Sequence, residues 1–209
     1  MKHPLCSESH YQFEKVCLAS QSPRRRELLS QIGAAFDVMP ADIDERQLAN
    51  EAPTDYVERI TKAKATAIWQ APDYHQSVPV LASDTAVING HSILGKPVDK
   101  ADGVAMLKAL SGRTHWVLSG VALVWQQECY YRLSKNQVTF SELTDELIER
   151  YWQTGEGHDK AGCYAVQGMA ASFIENIEGS FSAIMGLPLL ETTQLLVAAG
   201  VKCWPSKAD

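Results

Sequence analysis

A run of three arginines follows Ser22-Pro23 near the start of the chain, in the stretch Leu18-Ala-Ser-Gln-Ser-Pro-Arg-Arg-Arg-Glu-Leu-Leu. Serine is a good helix N-cap, and proline is favoured at the first helical position. A helix is therefore predicted to begin at Pro23, with Arg24, Arg25 and Arg26 in its first turn. Since a helix N-terminus already carries partial positive charge and unpaired N–H groups, this cluster predicts a site for an anion such as phosphate.

Lys64 is a second basic residue in an unusual place. It shares the apolar face of a helix predicted from Thr54 to about Gln70, because it follows Val57 by seven residues and Ile60 by four. The helix alone favours snorkelling, in which the stem is buried and the amine reaches water. The alternative is a lysine aimed into a cleft beside the core.

Carboxylates occur at two places that suit chemistry. Asp84 is predicted to end the apolar strand Pro79–Ser83, where it is either a turn aspartate or a group for metal or general-base chemistry. Asp44 and Glu45 lie in an acidic stretch that is either a solvated loop or, with Asp84, part of a Mg²⁺ site. Magnesium prefers few carboxylates, retained waters and substrate phosphates.

Lys96 belongs to Gly95-Lys-Pro, just after a predicted hairpin at Asn89-Gly90. It is either a turn lysine or a phosphate-binding lysine that the hairpin returns towards Asp84. Together, basic groups from three places, carboxylates from two and a helix N-terminus suit binding of a polyphosphate with a divalent cation and activation of water against it. The sequence has neither a P-loop nor a dinucleotide-binding fingerprint.

The elements that must position these residues are a mixture of helices and strands, which predicts an α/β or α+β fold around a mixed sheet. The predicted strands are Val16–Ser20, Phe36–Met39, Pro79–Ser83, His91–Leu94, Thr114–Gln126 and Tyr130–Phe140. The predicted helices are Pro23–Gly33, Thr54–Gln70, Asp99–Ser111, Thr144–Gln153 and Pro188–Ala199. The Gly-rich segment Gly162–Ile177 is predicted to be β-prone, and His115 and His158 to be structural or surface residues.

Composition narrows the class of protein. The 209 residues are 45% hydrophobic and 21% charged, as in soluble globular domains. The apolar runs are too short for a transmembrane helix, and the first fifteen residues do not resemble a secretory signal. Five cysteines without metal-binding spacing suggest reduced thiols and a cytoplasmic location. A net charge of −6 disfavours nucleic acid as a partner.

Several ordered motifs make the chain resemble the Maf family of nucleoside triphosphate pyrophosphatases. Besides the arginine segment, they are Ala82-Ser-Asp-Thr-Ala-Val, Gly95-Lys-Pro, Leu110-Ser-Gly-Arg-Thr-His, Asp159-Lys-Ala-Gly-Cys-Tyr-Ala-Val-Gln-Gly and Gly186-Leu-Pro-Leu with Glu191-Thr. The resemblance covers roughly residues 16–199. It implies an ITPase-like mixed sheet with two lobes around a nucleotide-binding cleft, residues 1–15 being an N-terminal extension, 16–201 a single domain and 202–209 a C-terminal tail.

The resemblance also implies an activity, the hydrolysis of dTTP and UTP to the monophosphate and pyrophosphate, with Mg²⁺ or Mn²⁺. Arg24, Thr85 and Gln167 match the branch of the family that acts on these pyrimidine nucleotides. Asp84 would be the catalytic base. The other implied roles are metal binding by Glu45 and Asp84, and phosphate binding by Ser22, Arg25, Lys64 and Lys96.

Further implications of the resemblance concern partners and alternatives. A homodimer is expected, as is a function in cleaning the nucleotide pool, with a link to cell-division arrest. One alternative is a non-catalytic regulator of septum formation that binds a nucleotide or a protein. Another is a house-cleaning enzyme whose preferred substrates are modified pyrimidine nucleotides. The chain departs from the family at Ala165, where glycine is common, and at Ser119, where threonine is frequent. Neither belongs to the expected catalytic set, but alanine at position 165 is expected to alter the base pocket near Gln167.

Overall fold

The computed structural model describes residues 11–204, in which helices surround one mixed seven-stranded sheet. The strands are β1 (Lys15–Leu18), β2 (Ala35–Val38), β3 (Val80–Asn89), β4 (Ser92–Leu94), β5 (Thr114–Trp125), β6 (Glu128–Phe140) and β7 (Ile174–Glu178). The α-helices are α1 (Pro23–Gln31), α2 (Pro53–Trp69), α3 (Lys100–Leu110), α4 (Asp145–Gln153), α5 (Phe181–Met185) and α6 (Leu189–Ala198). The predicted α/β class with a mixed sheet is confirmed.

The strand order is β2-β1-β3-β5-β6-β7, and β4 forms a hairpin with β3. The strands β2, β1 and β3 run parallel, whereas β3, β5, β6 and β7 are antiparallel to their neighbours. The predicted hairpin at Asn89-Gly90 is confirmed, with φ of +62° at Gly90. The long pair β5–β6 is also confirmed and turns between Trp125 and Glu128.

The apolar residues on the sheet face that carries α5 form two main clusters, which correspond to two lobes. Leu81 of β3 and Leu123 of β5 belong to the cluster packed by α1 and α6. Val87 and Val117, farther along the same two strands, belong to the cluster packed by α3 and α4. Because alternate residues of a strand share a face, the residues between these positions lie at the boundary of the two lobes.

The outer edge of β3 is open at this boundary. The strand β1 pairs with β3 at Val80 and Leu81, and β4 pairs with it from Val87 to Asn89. In the described part of the chain, residues 82–86 of β3 therefore have a strand partner on the β5 side alone. A cleft opens at this gap.

The prediction that Asp84 ends its strand is wrong. Asp84 is the fifth of ten residues in β3, and it pairs with Gly120 of β5. The strand continues because the residues after Asp84 also pair with β5 and because a lysine of α2 neutralises the buried carboxylate.

The β-prone segment Gly162–Ile177 was also largely mispredicted. It consists mainly of turns with two short 3-10 helices, Ala161–Cys163 and Met169–Phe173, and joins the sheet only in β7. The left-handed φ of +67° at Gly162 and +63° at Cys163 interrupts the extended conformation. The five-residue helix α5 was not predicted.

The two ends of the described chain pack together. Phe13 forms a parallel bridge with Val201, and its ring lies edge-on to Trp125. Residues 1–10 and 205–209, which make up most of the predicted extension and tail, lie outside the described residues. No helix between residues 11 and 204 combines the length and the apolar character needed to cross a membrane.

Candidate active site

A cleft of about 1160 Å³ lies between the lobes, at the open edge of β3. Every residue that the sequence assigned to the site lines this cleft: Ser22, Arg24, Arg25, Glu45, Lys64, Asp84, Thr85, Lys96 and Gln167. These residues come from β3, α1, α2 and four loops or turns. The structure therefore brings together what the sequence spreads over almost 150 positions.

The centre of the cleft is an ion-paired triad of Lys64, Asp84 and Glu45. The Lys64 ammonium donates to Asp84 Oδ1 at 2.7 Å and lies 2.8 Å from Glu45 Oε2. Lys64 and Asp84 are buried, whereas the Glu45 side chain is half-exposed. Snorkelling is therefore the wrong interpretation of Lys64, because its amine ends on two carboxylates in the cleft instead of in water.

The two acidic residues of the loop before α2 point in different directions. Glu45 reaches Lys64, whereas Asp44 pairs with Arg46 at the surface, and hydrogen bonds from Arg46 lower the pKa of Asp44 to about 2. Tyr56 of α2 donates through its hydroxyl to the carbonyl of Glu45 at 3.1 Å. Burial and the nearby carboxylates of Asp84 and Glu45 raise the pKa of Tyr56 to about 12, which keeps this donor protonated.

A second contact holds the same loop against α2. The Arg59 guanidinium donates to both oxygens of Glu51, at 2.5 and 2.7 Å, and to the carbonyl of Arg46 at 3.0 Å. A bidentate pair of this kind fixes orientation as well as distance. The loop that carries Glu45 is thus anchored at that residue and at the residues that follow it.

The arginine cluster forms the positive wall of the cleft. The helix α1 begins at Pro23 as predicted, and Ser22 caps it by accepting from the Arg25 N–H at 3.5 Å. Burial lowers the pKa of Arg24 and of Arg25. The nearby carboxylate of Asp159 acts in the opposite direction on the pKa of Arg24, and the carboxylate of Asp84 does so on the pKa of Arg25. Arginine is charged at any accessible pH, so both remain cations.

The three arginines differ in surroundings. The Arg25 guanidinium donates from Nε to the Gly186 carbonyl at 2.9 Å and from Nη1 to Ser20 Oγ at 3.2 Å. These two bonds fix its position in the wall of the cleft. Arg24 is half-buried at the cleft wall, whereas Arg26 is exposed and does not line the cleft.

Thr85 lies on the opposite face of β3 from Asp84. Its hydroxyl is 3.0 Å from Ser119 Oγ, and Ser119 in turn donates to the Ala183 carbonyl of α5 at 2.6 Å. The sequence departure at Ser119 is therefore not remote from the site, since it contacts a member of the predicted specificity set. Ala165, the other departure, is buried, and its carbonyl accepts from the Gly168 N–H.

Gln167 and Lys96 are exposed residues at the rim. The turn that carries Gln167 is held by Glu156, whose carboxylate accepts from the N–H groups of Met169 and Ala170 at 2.8 and 3.2 Å. The Gly95 carbonyl beside Lys96 accepts from the Gly162 N–H at 3.0 Å. This bond ties the β4 turn to the segment before Gln167.

Sequence reasoning missed several residues that shape the site. Tyr56 had a usable signal, because it precedes Lys64 by eight residues on α2 and so shares its face. Asp159 and Lys160 were assigned no role of their own, yet both line the cleft and pair with each other. Glu156 carried no sequence signal, since its role depends on a turn that folds back over it.

Two carboxylates of the cleft, those of Asp84 and Glu45, could bind a divalent cation. Among residues 11–204 no cluster of three or more histidine, cysteine or acidic side chains could hold a metal by itself. Asp84 and Glu45 nevertheless converge on one ammonium, so two carboxylates already share a cation position. Two carboxylates with room for phosphate oxygens match the preference of Mg²⁺ for few protein ligands. The residues therefore fit a metal that binds together with a phosphorylated substrate.

Known proteins are similar to this chain over most of its length. A relative from Hahella chejuensis, named dTTP/UTP pyrophosphatase, is 50% identical over 190 residues that cover 91% of this chain and 94% of the relative. A protein of the same name from Pseudoalteromonas atlantica is 51% identical over 182 residues, covering 87% of this chain and 95% of that protein.

Among solved structures, the Staphylococcus aureus Ham1 protein is similar, with a TM-score of 0.41 and 15% identity over 63% of this chain and 72% of that one. This likeness is too distant to support an argument. The sequence profile described as Maf-like protein matches residues 15–199, which is most of the chain. By this match, and by relatives about half identical over nearly their whole length, the chain belongs to the Maf-like protein family.

Proposed function

We propose that this protein hydrolyses dTTP and UTP to the nucleoside monophosphate and pyrophosphate. The observation that carries the proposal is the position of Asp84, a buried carboxylate on the open edge of β3 that shares the Lys64 ammonium with Glu45. A binding module has no need of such a group, whereas a hydrolase needs a base. The relatives named dTTP/UTP pyrophosphatase support the choice of substrate.

In this proposal Asp84 is the general base. The Lys64 ammonium occupies Oδ1, which leaves Oδ2 to accept a proton from a water molecule in the cleft. The water oxygen forms a bond to the α-phosphorus as its proton passes to Asp84. The bond from the α-phosphorus to the bridging oxygen breaks, and pyrophosphate leaves with the electron pair. A positioned base of this kind contributes about 10² to 10⁴ in rate.

The cations around Asp84 bind the triphosphate and stabilise the charge that develops on it. Arg25 and Ser22 at the start of α1, with Lys64 and Lys96, contact phosphate oxygens. Asp84 and Glu45 would hold Mg²⁺ or Mn²⁺, which supplies additional neutralisation of the phosphates when bound. Arg24, Thr85 and Gln167 contact the base. Donors aimed at developing charge act most strongly where water is excluded.

The site of action and the assembly are part of the same proposal. A net charge of −6 suits a protein that acts on free nucleotides and not on nucleic acid. A cytoplasmic location follows from the substrate, and a homodimer from the resemblance to the family. Light scattering during size-exclusion chromatography tests the dimer.

The test is pyrophosphate release from a panel of nucleoside triphosphates, with and without Mg²⁺ or Mn²⁺, for the native protein and Asp84→Asn. We expect metal-dependent release from dTTP and UTP, and a loss of at least about 10²-fold in Asp84→Asn. The asparagine preserves shape, so circular dichroism should be unchanged. Full activity in Asp84→Asn contradicts the catalytic role, and no release from any nucleotide favours the alternative of a non-catalytic binding protein.

A further inference from the structure

Three hydroxyl side chains form a polar row across the sheet between the two lobes. Ser83 and Thr85 belong to β3, and Ser119 of β5 is the register partner of Thr85. All three lie on the sheet face that carries α5, between the apolar residues of the two main clusters. Ser83 and Ser119 have no exposed surface, so water does not compete for their hydrogen bonds.

The protons in this row can be assigned. Ser119 Oγ lies 2.6 Å from the Ala183 carbonyl, which can only accept, so the single hydroxyl proton of Ser119 is donated there. Thr85 Oγ1 lies 3.0 Å from Ser119 Oγ. Since Ser119 has no second proton, Thr85 must be the donor in that bond. The proton of Thr85 therefore points away from the cleft, and its oxygen offers only lone pairs to anything bound there.

We propose that Ser119 is a specificity-positioning residue, which makes the Thr85 hydroxyl an obligatory acceptor for the nucleotide base. The inference rests on the proposed function, in which Thr85 contacts that base. Uracil and thymine carry an N–H at ring position 3, which such an acceptor can bind. Cytosine carries a lone pair at the same position, so two acceptors would face each other.

Arg24 and Gln167, which contact the base in the proposed function, supply hydrogen-bond donors that complement the acceptor at Thr85. Arg24 can only donate, and the Gln167 amide can donate through its NH₂ group. The base edge of uracil and thymine presents a carbonyl oxygen on each side of the ring N–H. Two donors and one acceptor thus match that edge. With cytosine, the Thr85 oxygen and one donor would lack partners, and polar groups that a bound base shields from water without pairing them discriminate against that base.

The short helix α5 enforces the assignment, because its Ala183 carbonyl accepts from Ser119. Gly186, which directly follows α5, accepts from Arg25 at 2.9 Å. Ser83 Oγ, which has a single proton, lies 2.7 Å from the Gly120 carbonyl and 2.9 Å from the Gly186 carbonyl. The helix and the residue that follows it thereby orient Thr85, through Ser119, and Arg25 directly. A Cβ added at Gly186 would lie 3.8 Å from Thr85 Oγ1, so the turn that contains Gly186 lies next to Thr85.

The experiment compares kcat/KM for UTP and for CTP in Ser119→Ala. Without the serine oxygen, the Thr85 hydroxyl can rotate and donate into the cleft. We expect the UTP/CTP ratio to fall by about tenfold, mainly because CTP improves. Ser83→Ala is the matched control, because it removes an equally buried hydroxyl from the same face without touching Thr85, and it should keep the native ratio while losing similar thermal stability.

A second variant separates a proton-directing role from a structural one. In a Thr85→Val background there is no hydroxyl to direct, so Ser119→Ala should leave the UTP/CTP ratio unchanged. Thr85→Val alone should lower the ratio by weakening UTP, because the acceptor itself is then absent.

The outcomes distinguish the two proposals. If the native protein releases pyrophosphate from neither UTP nor dTTP, the proposed function fails and the inference with it. If the native protein prefers UTP and Ser119→Ala keeps that preference, only the inference on Ser119 is overturned. An equal change of the ratio in Ser119→Ala and Ser83→Ala also overturns it, because a general loosening of the sheet then accounts for the change.

Discussion

Asp84 lies in the middle of a strand that the local sequence pattern predicts it to end, and the reason is a contact with a residue distant in sequence. An ionised carboxylate in the middle of a buried strand is costly unless it is paired. The Lys64 ammonium supplies the pairing at 2.7 Å, and it also lies 2.8 Å from Glu45. The strand tolerates Asp84 because a helix seventeen residues long delivers a cation to it. Both charges are thereby held at the cleft in a fixed geometry.

Removal of that cation is the sharpest test at the residue scale. In Lys64→Met, an uncharged side chain of similar length leaves two carboxylates facing each other. Breaking a buried pair costs about 3–5 kcal/mol, and since Glu45 is half-exposed we expect about 2 kcal/mol here, seen as a lower Tm. Mg²⁺ or Mn²⁺ should restore part of that loss, because a divalent cation can take the place of the ammonium between Asp84 and Glu45.

The measurement is thermal unfolding of the native protein and Lys64→Met, with and without each metal. Lys62→Met on the same helix is the control, since Lys62 pairs with Glu58 at the surface and should show neither the loss nor the rescue. A Tm for Lys64→Met that does not respond to metal argues against a shared cation position at Asp84 and Glu45.

At the scale of elements, a short helix and a turn position side chains next to those that the long strand β3 supplies. The strand β3 supplies Asp84 and Thr85 to opposite faces, and both reach the cleft because neighbouring strands leave its edge open at residues 82–86. The helix α5, five residues long, anchors Ser119 of the polar row through its Ala183 carbonyl. The turn after Val166 carries Gln167 and is itself held by Glu156.

The packing of Gly168 against Glu156 leads to a prediction about that turn. A Cβ at position 168 would lie 2.2 Å from a carboxylate oxygen of Glu156, so Gly168→Ala must displace either the carboxylate or the turn. The N–H groups of Met169 and Ala170 would then lose their acceptor, and Gln167 would shift. Because misplacement of about 1 Å can cost about 10²-fold, we expect kcat/KM for UTP to fall by about ten- to a hundredfold.

Pyrophosphate release from UTP measures this effect. Gly95→Ala is the matched glycine control, since the same methyl group would meet no atom within 4 Å there and should change little. Native kcat/KM in Gly168→Ala would show that the turn can relax without moving Gln167, and that Glu156 does not position it.

At the scale of the whole molecule, each lobe has its own core and the catalytic groups lie where the two meet. The lobe around α3 and α4 contains an aromatic cluster in which His115 packs edge-on against Phe140 and bonds to the Tyr164 hydroxyl at 2.8 Å. Its burial agrees with the expectation of a structural histidine. In the described part of the chain His115 Nδ1 has no hydrogen-bond partner.

The stability of the protein should depend on pH through His115. Burial lowers its pKa to about 4 from about 6.5 in the unfolded chain. As the pH falls below about 6.5, the unfolded chain binds a proton that the folded protein does not, so unfolding becomes easier. Between about pH 6.5 and 4 this should remove up to about 3 kcal/mol of the free energy of unfolding.

Urea unfolding of the native protein and His115→Gln, across pH 4 to 7, isolates this contribution. Glutamine keeps a hydrogen-bonding group near Tyr164 but does not titrate, and all carboxylates are common to both proteins. We expect the difference in unfolding free energy between the two proteins to narrow as the pH falls. A difference that stays constant with pH would mean that His115 is not held neutral by the fold.

The sequence by itself determined most of the helices and strands, and together with the family resemblance it identified the site residues named above. The Ser22-Pro23 cap predicted the start of α1, and the Asn89-Gly90 turn predicted the β3–β4 hairpin, because these signals are local and a few residues suffice to encode them. All nine predicted site residues line one cleft, although several owed their assignment to the resemblance and not to local chemistry.

Only the tertiary structure decided between the alternatives that local patterns left open. The environment of Lys64 depends on a carboxylate twenty positions away, and the proton direction at Thr85 depends on Ser119 and on the Ala183 carbonyl of α5. Asp44 and Glu45 are adjacent in sequence yet only Glu45 reaches the cleft. A side chain's pairing, burial and hydrogen-bond direction are set by whatever packs against it, and the partners here come from distant segments that periodicity and capping do not relate to one another.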